Sequence, residues 1–255
     1  MKLPLSQKAA SALRVLAETG STNDDLVAIA GAEPAFSTIV AASQTAGRGR
    51  LGRSWVAPPG ASLSISVLLR PEVPLERFGW LPLIAGVAMA EAIESLVPGT
   101  VGLKWPNDVQ IDGLKVSGLL AELLPSGDAV VMGSGVNLAL AADQLPTPVS
   151  TSLLLAGATL EGDELADAVL SRYLDRLRAH LEAFASTPDV SATLALVTAR
   201  CTTLGQKVRV ELPGANDLHG TATGIDLGGR LLVRLSADDT TVAVAAGDVT
   251  HLRYE

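Results

Sequence analysis

The chain has little of what marks secreted, membrane-spanning or nucleic-acid-binding proteins. Its single cysteine, Cys201, excludes an internal disulfide and is typical of a reducing cytosol, where we expect it to be a small buried apolar residue. The longest apolar stretch, residues 80–90, stops at Glu91. Because a membrane span requires roughly 18 residues, we interpret this stretch as a buried helix. The N-terminus has no clear hydrophobic signal region, which predicts an unprocessed, cytoplasmic protein without a membrane partner.

Aromatic residues are scarce at 3%, so Leu, Val, Ile and Ala must fill the core of a chain that is 48% hydrophobic. A basic surplus is also missing, since the net charge is -8. Phosphate contacts require a basic face, and this balance of charge disfavours nucleic acid as the main partner. At 255 residues the chain is long enough for one sizeable domain and one small one.

Hydrophobic periodicity and turn residues divide the chain into an α/β region and a strand-rich tail. We expect a weakly amphipathic helix up to Glu18 and a second helix capped by Ser21 or Thr22. Further helices are expected over 80–97, over 163–184 and after Pro188, and strands over 36–43, 62–69, 101–105, 116–124 and 129–136. After about Thr202, short and closely spaced strands predict a small β-barrel.

The segment QTAGRGRLGRSW, residues 44–55, places three arginines among three glycines. These residues are Arg48, Arg50, Arg53, Gly47, Gly49 and Gly52. Glycines let a backbone approach a ligand closely, and arginines present planar forks that match phosphate and carboxylate oxygens. The segment therefore indicates a clamp for an anionic small molecule, although the pattern alone fits a solvated surface loop equally well.

The glycine spacing in this segment matches G-x-G-x-x-G, but the dinucleotide-binding motif requires a helix directly after it. Here Pro58, Pro59 and Gly60 break any helix, and the alternation over 62–67 indicates a strand. A P-loop is also excluded, because no G-K-[ST] follows the glycines. We therefore expect arginine side chains on a loop between two strands to hold the anion.

Two further polar clusters follow apolar strands. KWPND at 104–108 is followed by Lys115, and GSGVN occupies 133–137. Taken singly, the first pattern also fits an Asn-Asp turn after proline, and the second also fits a glycine-kinked strand. Together with GSTN at 20–23 and the arginine-rich segment, and in this order, they make the chain resemble the biotin–protein ligase family.

The resemblance implies an α/β (α+β) fold of two domains. Residues 1–202 would form a mixed-sheet catalytic domain similar to class II aminoacyl-tRNA synthetases, and residues 203–255 a C-terminal SH3-like β-barrel. The implied enzyme uses biotin and Mg-ATP to make biotinyl-5′-AMP and pyrophosphate. It then passes biotin to a lysine of a biotin carboxyl carrier protein domain of a biotin-dependent carboxylase. Oxygen ligands suit Mg²⁺, but the sequence leaves their identity open.

The resemblance also implies roles for individual residues. Lys115 is similar in position to the family lysine that contacts the biotin carboxyl group and the α-phosphate, and it is expected to be catalytic together with Arg48. The implied biotin contacts are Ser21, Thr22, Asn23, Gln44, Gly47, Arg48, Gly49, Arg50 and Lys115. The implied nucleotide contacts are Arg48, Arg50, Arg53, Trp55, Asn107, Asp108, Lys115 and Asn137. Hydroxyls and amides suit the ureido ring of biotin, which presents two N–H donors and one C=O acceptor.

Two alternatives share the fold or the ligand. A lipoate or octanoate ligase of this fold is expected to show three consecutive glycines and a His-Asp pair, and the chain has neither. A non-catalytic biotin sensor or repressor is expected to carry an N-terminal helix-turn-helix domain, whereas about 20 residues precede the GSTN segment. We therefore expect the monofunctional form of the family, without specific DNA binding.

We expect the segment 44–55 to be mobile in the free enzyme and to be ordered by biotin or the adenylate. Its glycines are costly to order, and no acidic residue stands near its three arginines in the sequence. An anionic ligand would offset both costs.

Overall fold

The computed structural model describes residues 1–212, 216–245 and 248–251. The helices are α1 (Pro4–Ala9), α2 (Thr22–Ile29), α3 (Leu81–Glu94), α4 (Gly162–Ala185) and α5 (Ser191–Arg200). The first sheet contains β1 (Ala12–Leu16), β2 (Ser37–Ala41), β3 (Ser62–Leu69), β4 (Val101–Lys104), β5 (Asp108–Ile111), β6 (Leu114–Leu123) and β7 (Val130–Asn137). The second contains β8 (Lys207–Glu211), β9 (Leu218–Ile225), β10 (Leu231–Leu235), β11 (Thr241–Val244) and β12 (Asp248–His251).

The larger sheet is mixed and has the strand order β1-β2-β3-β7-β6-β5-β4. Strands β1 and β2 are parallel, and all the other neighbours are antiparallel. Side chains alternate between the two faces of a strand, so Ile65 and Val67 of β3 point to one face and Ser64 and Ser66 to the other. The first face packs against α3 and α4 in the main hydrophobic core. The second face is therefore left with small polar residues.

Helix α3 is apolar on all sides because it lies between the sheet and α4. Helix α4 is amphipathic, and residues such as Leu170, Tyr173 and Leu177 are fully buried beneath it. Helix α2 covers one end of the opposite sheet face, where Leu26 packs with Leu68 in a second, smaller cluster. In the described part of the chain, no helix is both long enough and apolar enough to cross a membrane.

The second sheet is antiparallel, with the strand order β11-β10-β9-β8-β12, and it corresponds to the small β domain expected after Thr202. Its turn between β9 and β10 is held against the larger domain by two indole hydrogen bonds. Trp80 Nε1 donates to the carbonyl of Leu227 at 3.0 Å, and Trp105 Nε1 donates to the carbonyl of Gly229 at 3.1 Å. These contacts hold the small domain against the start of α3 and the end of β4.

The predicted elements are largely confirmed, but the N-terminal region differs. The single helix expected up to Glu18 is instead the short α1 followed by the strand β1. Strand β1 pairs in parallel with β2, so its backbone groups are satisfied by a segment more than 20 residues away. The segment Asp108–Ile111, where no strand was predicted, forms β5. In both places pairing with another strand decides the structure, rather than local periodicity.

The short helix α1 depends on a buried carboxylate of α4. Asp167 accepts hydrogen bonds from the backbone N–H of Leu5 at 2.9 Å and of Ser6 at 2.8 Å, and from the Ser6 hydroxyl at 2.6 Å. These two N–H groups are among those at a helix N-terminus that have no partner within the helix. Asp167 therefore caps α1 from a residue far away in the sequence.

Replacing Asp167 with alanine is expected to lower the free energy of unfolding by about 2–3 kcal/mol, because buried donors lose their acceptor. Urea denaturation measures this loss. The exposed Asp163 accepts only from the backbone N–H of Lys2 among the described contacts, so Asp163→Ala is the control. Equal losses in the two variants would contradict a specific capping role for Asp167.

Candidate active site

A cavity of about 470 Å³ lies against the polar face of the larger sheet. It is lined by residues from α2, from the segment 44–55, from the ends of β4 to β7, from the segment 146–150 and from β12. Every residue that the sequence analysis assigned to biotin or nucleotide lines this cavity, except Gly47. The four motifs, which are spread over more than 110 residues of sequence, thus meet in one place.

The floor of the cavity is made of small residues in register on neighbouring strands. Ser64 pairs with Gly135, and Ser66 pairs with Gly133. A Cβ atom on Gly135 would lie 2.2 Å from the indole ring of Trp55. The glycine therefore leaves the space in which the indole packs on the sheet backbone, and a side chain at this position would displace it.

One wall of the cavity is the N-terminus of α2. Ser21 caps this helix, because its hydroxyl oxygen accepts the backbone N–H of Asp24 at 3.4 Å. Gln44 faces the same turn, and its Oε1 accepts the backbone N–H of Thr22 at 2.8 Å. The Thr22 hydroxyl lies 3.1 Å from the same Gln44 oxygen. This wall therefore presents hydroxyl and amide groups that are buried and already oriented.

Asn23 is held from three sides within this wall. Its Oδ1 lies 2.6 Å from the Ser66 hydroxyl, and its Nδ2 donates to Glu122 Oε1 at 2.7 Å. A Cβ atom on Gly133 would lie 2.4 Å from Asn23 Oδ1. The missing side chain at Gly133 thus makes room for the amide, and the two hydrogen bonds fix its orientation.

Two cationic side chains of the cavity, Lys115 and Arg50, contact residues of the KWPND motif. Lys115 Nζ lies 2.8 Å from Asp108 Oδ1, and a Cβ atom on Gly118 would come within 3.0 Å of the same nitrogen. Arg50 donates to Asn107 Oδ1 at 3.0 Å. The KWPND motif therefore positions both a lysine and a loop arginine, through its neighbouring amide and carboxylate.

Arg48 forms ion pairs with two carboxylates that the sequence analysis did not assign to the site. Its guanidinium donates to both oxygens of Asp24 at 2.7 Å and to Glu122 Oε1 at 2.9 Å. The hydrogen bonds to Asp24 and then to Glu122 raise the pKa of Arg48 above its ordinary value. The arginines of the segment 44–55 have no acidic neighbour in sequence, but the fold supplies two for Arg48.

Aromatic and amide groups line the part of the cavity next to the cations. Trp55 Nε1 is buried and makes no hydrogen bond to any residue that the structure describes. Asn137 Nδ2 donates to the carbonyl of Thr151 at 2.9 Å. An indole face with an available N–H, beside arginine and lysine side chains, can bind a purine base attached to phosphates.

The sequence analysis did not assign two regions of the cavity wall to the site. The segment 146–150 reaches the cavity, and the chain around it is held to β6 by two backbone hydrogen bonds. In these, Lys115 N donates to Val149 O and Thr151 N donates to Lys115 O, both at 2.8 Å. Strand β12 of the small domain also contributes, through residues 249–251. Neither region carries a local pattern that would mark it as part of a site.

Gly47 does not line the cavity, although the sequence analysis assigned it to biotin. A Cβ atom there would lie 2.5 Å from the backbone oxygen of Trp55 and 2.6 Å from Gln44 Nε2. In this structure the glycine lets the two ends of the segment 44–55 pack together. Its assignment as a ligand contact stays a prediction.

Comparisons with known proteins match both parts of the chain. The biotin/lipoate A/B protein ligase family matches residues 15–138, and the biotin protein ligase C-terminal domain matches residues 203–252. A Mycobacterium tuberculosis protein named biotin–[acetyl-CoA-carboxylase] ligase is 42% identical over 94% of this chain and 89% of its own length. A Paracoccus denitrificans protein of the same name is 33% identical over 91% of this chain and 98% of its own length.

The fold is also found among solved structures. Biotin protein ligase from Aquifex aeolicus in complex with biotin and ATP superposes with a TM-score of 0.77 and is 28% identical. The superposition covers 95% of this chain and 99% of the Aquifex chain.

Proposed function

The chain belongs to the biotin–protein ligase family, and from this premise we propose which residues of the cavity bind the substrates and promote the reaction. The protein is an ATP-dependent ligase that activates biotin as biotinyl-5′-AMP and transfers biotin to a protein. One observation carries the proposal: a single cavity joins a wall of hydroxyls and amides to a cluster of cations. The wall suits an uncharged polar ring, and the cations suit a carboxylate and phosphates.

The ureido ring of biotin binds at the wall formed by Ser21, Thr22, Asn23 and Gln44. A ring with two N–H donors and one C=O acceptor requires both kinds of partner in a buried site. Hydroxyls and amides supply both without adding charge. The valeryl chain extends from the ring towards Lys115.

In the first half-reaction a carboxylate oxygen of biotin attacks the α-phosphorus of ATP. A new P–O bond forms, and the bond from the α-phosphorus to the bridging oxygen breaks, which releases pyrophosphate. Two anions must meet, so cations that are already oriented lower the barrier most. Lys115 contacts the carboxylate and the α-phosphate, while Arg48 and Arg50 close over the product. Trp55 and Asn137 bind the adenine.

In the second half-reaction the amine of a carrier lysine attacks the carbonyl carbon of the mixed anhydride. The C–O bond to AMP breaks, AMP leaves, and the amine loses a proton as the amide forms. The relatives are named for acetyl-CoA carboxylase, and a biotin carboxyl carrier domain of a carboxylase is accordingly the substrate proposed for this chain.

Magnesium accompanies ATP in this proposal. The described residues contain no group of three or more His, Cys, Asp or Glu side chains that could hold a metal ion. Magnesium usually keeps several waters and binds through one or two carboxylates plus substrate phosphates. Asp108 offers one such carboxylate in the cavity, so the available donors fit a metal that arrives with the nucleotide. The bound ion would neutralise phosphate charge.

Biotin is expected to support exchange of labelled pyrophosphate into ATP, and lipoate is not. The exchange requires reversible adenylate formation, so it tests the first half-reaction without a carrier. Mass spectrometry of an apo-carrier domain, incubated with the protein, biotin and ATP, should then show one biotinylated lysine. Exchange with lipoate and not with biotin would overturn the assignment.

A further inference from the structure

Glu122 lines the cavity and touches two residues of the proposed site, although the sequence analysis assigned it to neither substrate. Its side chain is 30% exposed, and its Oε1 accepts from both Asn23 Nδ2 at 2.7 Å and Arg48 Nη2 at 2.9 Å. We propose that Glu122 is a positioning residue that sets the direction of the hydrogen bonds in the biotin wall. This inference rests on the proposed function, because it assumes that the wall binds the ureido ring.

The first step concerns the amide of Asn23. An ionised carboxylate can only accept hydrogen bonds, so Glu122 requires the NH₂ group of Asn23 to face it. The carbonyl oxygen of the amide must then face Ser66, from which it is 2.6 Å away. The charge on Glu122 thus excludes the flipped amide, in which the oxygen would face the carboxylate.

The second step follows the single proton of each hydroxyl. A carbonyl oxygen only accepts, so the Ser66 hydroxyl must donate to Asn23. Ser66 then has no proton left for Thr22, whose hydroxyl lies 2.8 Å away. The Thr22 hydroxyl donates to Gln44 Oε1 at 3.1 Å, and its lone pairs are left free of the Ser66 proton.

The third step gives the consequence for the ligand. Because its own proton goes to Gln44 and the Ser66 proton goes to Asn23, Thr22 presents lone pairs to the cavity and can accept an N–H of the ureido ring. Ser21 is the opposite case, because its oxygen already accepts the backbone N–H of Asp24 and its proton remains for the ureido oxygen. The wall therefore matches a ring whose carbonyl lies between two N–H groups, and Glu122 enforces that match through Asn23 and Ser66.

The variant Glu122→Gln keeps the size of the side chain but can present either a donor or an acceptor to Asn23. The dissociation constant for biotin, measured by calorimetry without ATP, is expected to rise roughly 10- to 100-fold, because a hydrogen bond to a charged group is replaced. The KM for ATP and the adenylation rate at saturating biotin should change much less. A thermal melt reports whether the variant is folded.

Asp24→Asn is the matched control, because Asp24 also pairs with Arg48 but takes no part in the Asn23–Ser66–Thr22 chain. It is expected to change the biotin dissociation constant much less than Glu122→Gln.

A double-mutant cycle gives the second test. Ser66→Ala breaks this series of hydrogen bonds, so adding Glu122→Gln in that background should have little further effect. Thr22→Val removes the last hydroxyl of the series, and it replaces Ser66→Ala as the background of the cycle if Ser66→Ala does not fold.

Three results would overturn the inference. Equal effects of Glu122→Gln and Asp24→Asn would show that Glu122 acts only through Arg48. Additive effects in the cycle would show that it does not act through Ser66. Unchanged biotin affinity in folded Glu122→Gln would contradict it directly. If the wild-type protein did not bind biotin at all, the proposed function itself would fail, together with this inference.

Discussion

Replacing Lys115 with alanine is expected to slow adenylate formation by on the order of 10²–10³, or about 3–4 kcal/mol, because a cation that is already oriented towards developing charge is lost. The fold should survive. The side chain is 33% exposed, and the backbone of Lys115, which pairs with Val149 and Thr151, remains in place. Single-turnover formation of biotinyl-5′-AMP in a quenched-flow experiment measures the effect.

The exposed lysine Lys8 on α1 provides a matched control, since Lys8→Ala removes the same group outside the cavity. Its single-turnover rate should equal that of the wild type. Thermal unfolding of both variants separates lost catalysis from lost structure. A folded Lys115→Ala enzyme with a near-normal rate would show that Lys115 is not the main electrostatic residue.

Replacing Arg50 with glycine is expected to speed release of the adenylate roughly 10- to 100-fold, because a charge-assisted contact to the bound anhydride is lost. Arg50 also donates to Asn107 at 3.0 Å, so the variant loses one of the contacts that hold the segment 44–55 over the cavity. Escaped adenylate acylates exposed amines, and less selective labelling of bystander proteins should follow. Stopped-flow release of the adenylate and streptavidin blots of a protein mixture measure the two effects.

Leu51→Gly separates loss of charge from added flexibility. Leu51 has a positive φ of 54°, a conformation that glycine adopts without strain, so this variant adds a glycine and keeps every arginine. It should release the adenylate at close to the wild-type rate. Protease digestion with and without biotin tests the expectation that the ligand orders the segment. Equal protection in both states, with an unchanged release rate in Arg50→Gly, would contradict this view of the segment.

The sequence revealed most of the site because its residues come in short motifs with distinctive chemistry. Arg48 and Arg50 lie within one glycine-rich segment, and Asn107 and Asp108 follow one strand. Such clusters stay close together however the chain folds. Their meeting in one cavity was expected only from the family resemblance, since neither spacing nor periodicity indicates which loops lie side by side.

The partners of these residues could not be predicted in the same way. Glu122 stands 99 positions from Asn23 and 74 from Arg48, and only the pairing of β6 with β7 brings it to them. A one-residue change of register would turn Glu122 to the opposite face of the sheet. The contribution of β12 to the cavity could not be predicted either, because it depends on how the small domain packs. The domain boundary at 202/203 stays a prediction.

The three tryptophans of the chain lie in two places, the junction of the two sheets and the cavity, which fluorescence can observe separately. Trp80 and Trp105 are almost fully buried at the junction of the two sheets, and each donates to a carbonyl of the turn between β9 and β10. Trp55 lies in the cavity, and its indole N–H makes no hydrogen bond within the described part of the chain. Emission from a Trp55→Phe protein therefore reports separation of the small domain, and the difference from wild type reports occupancy of the cavity.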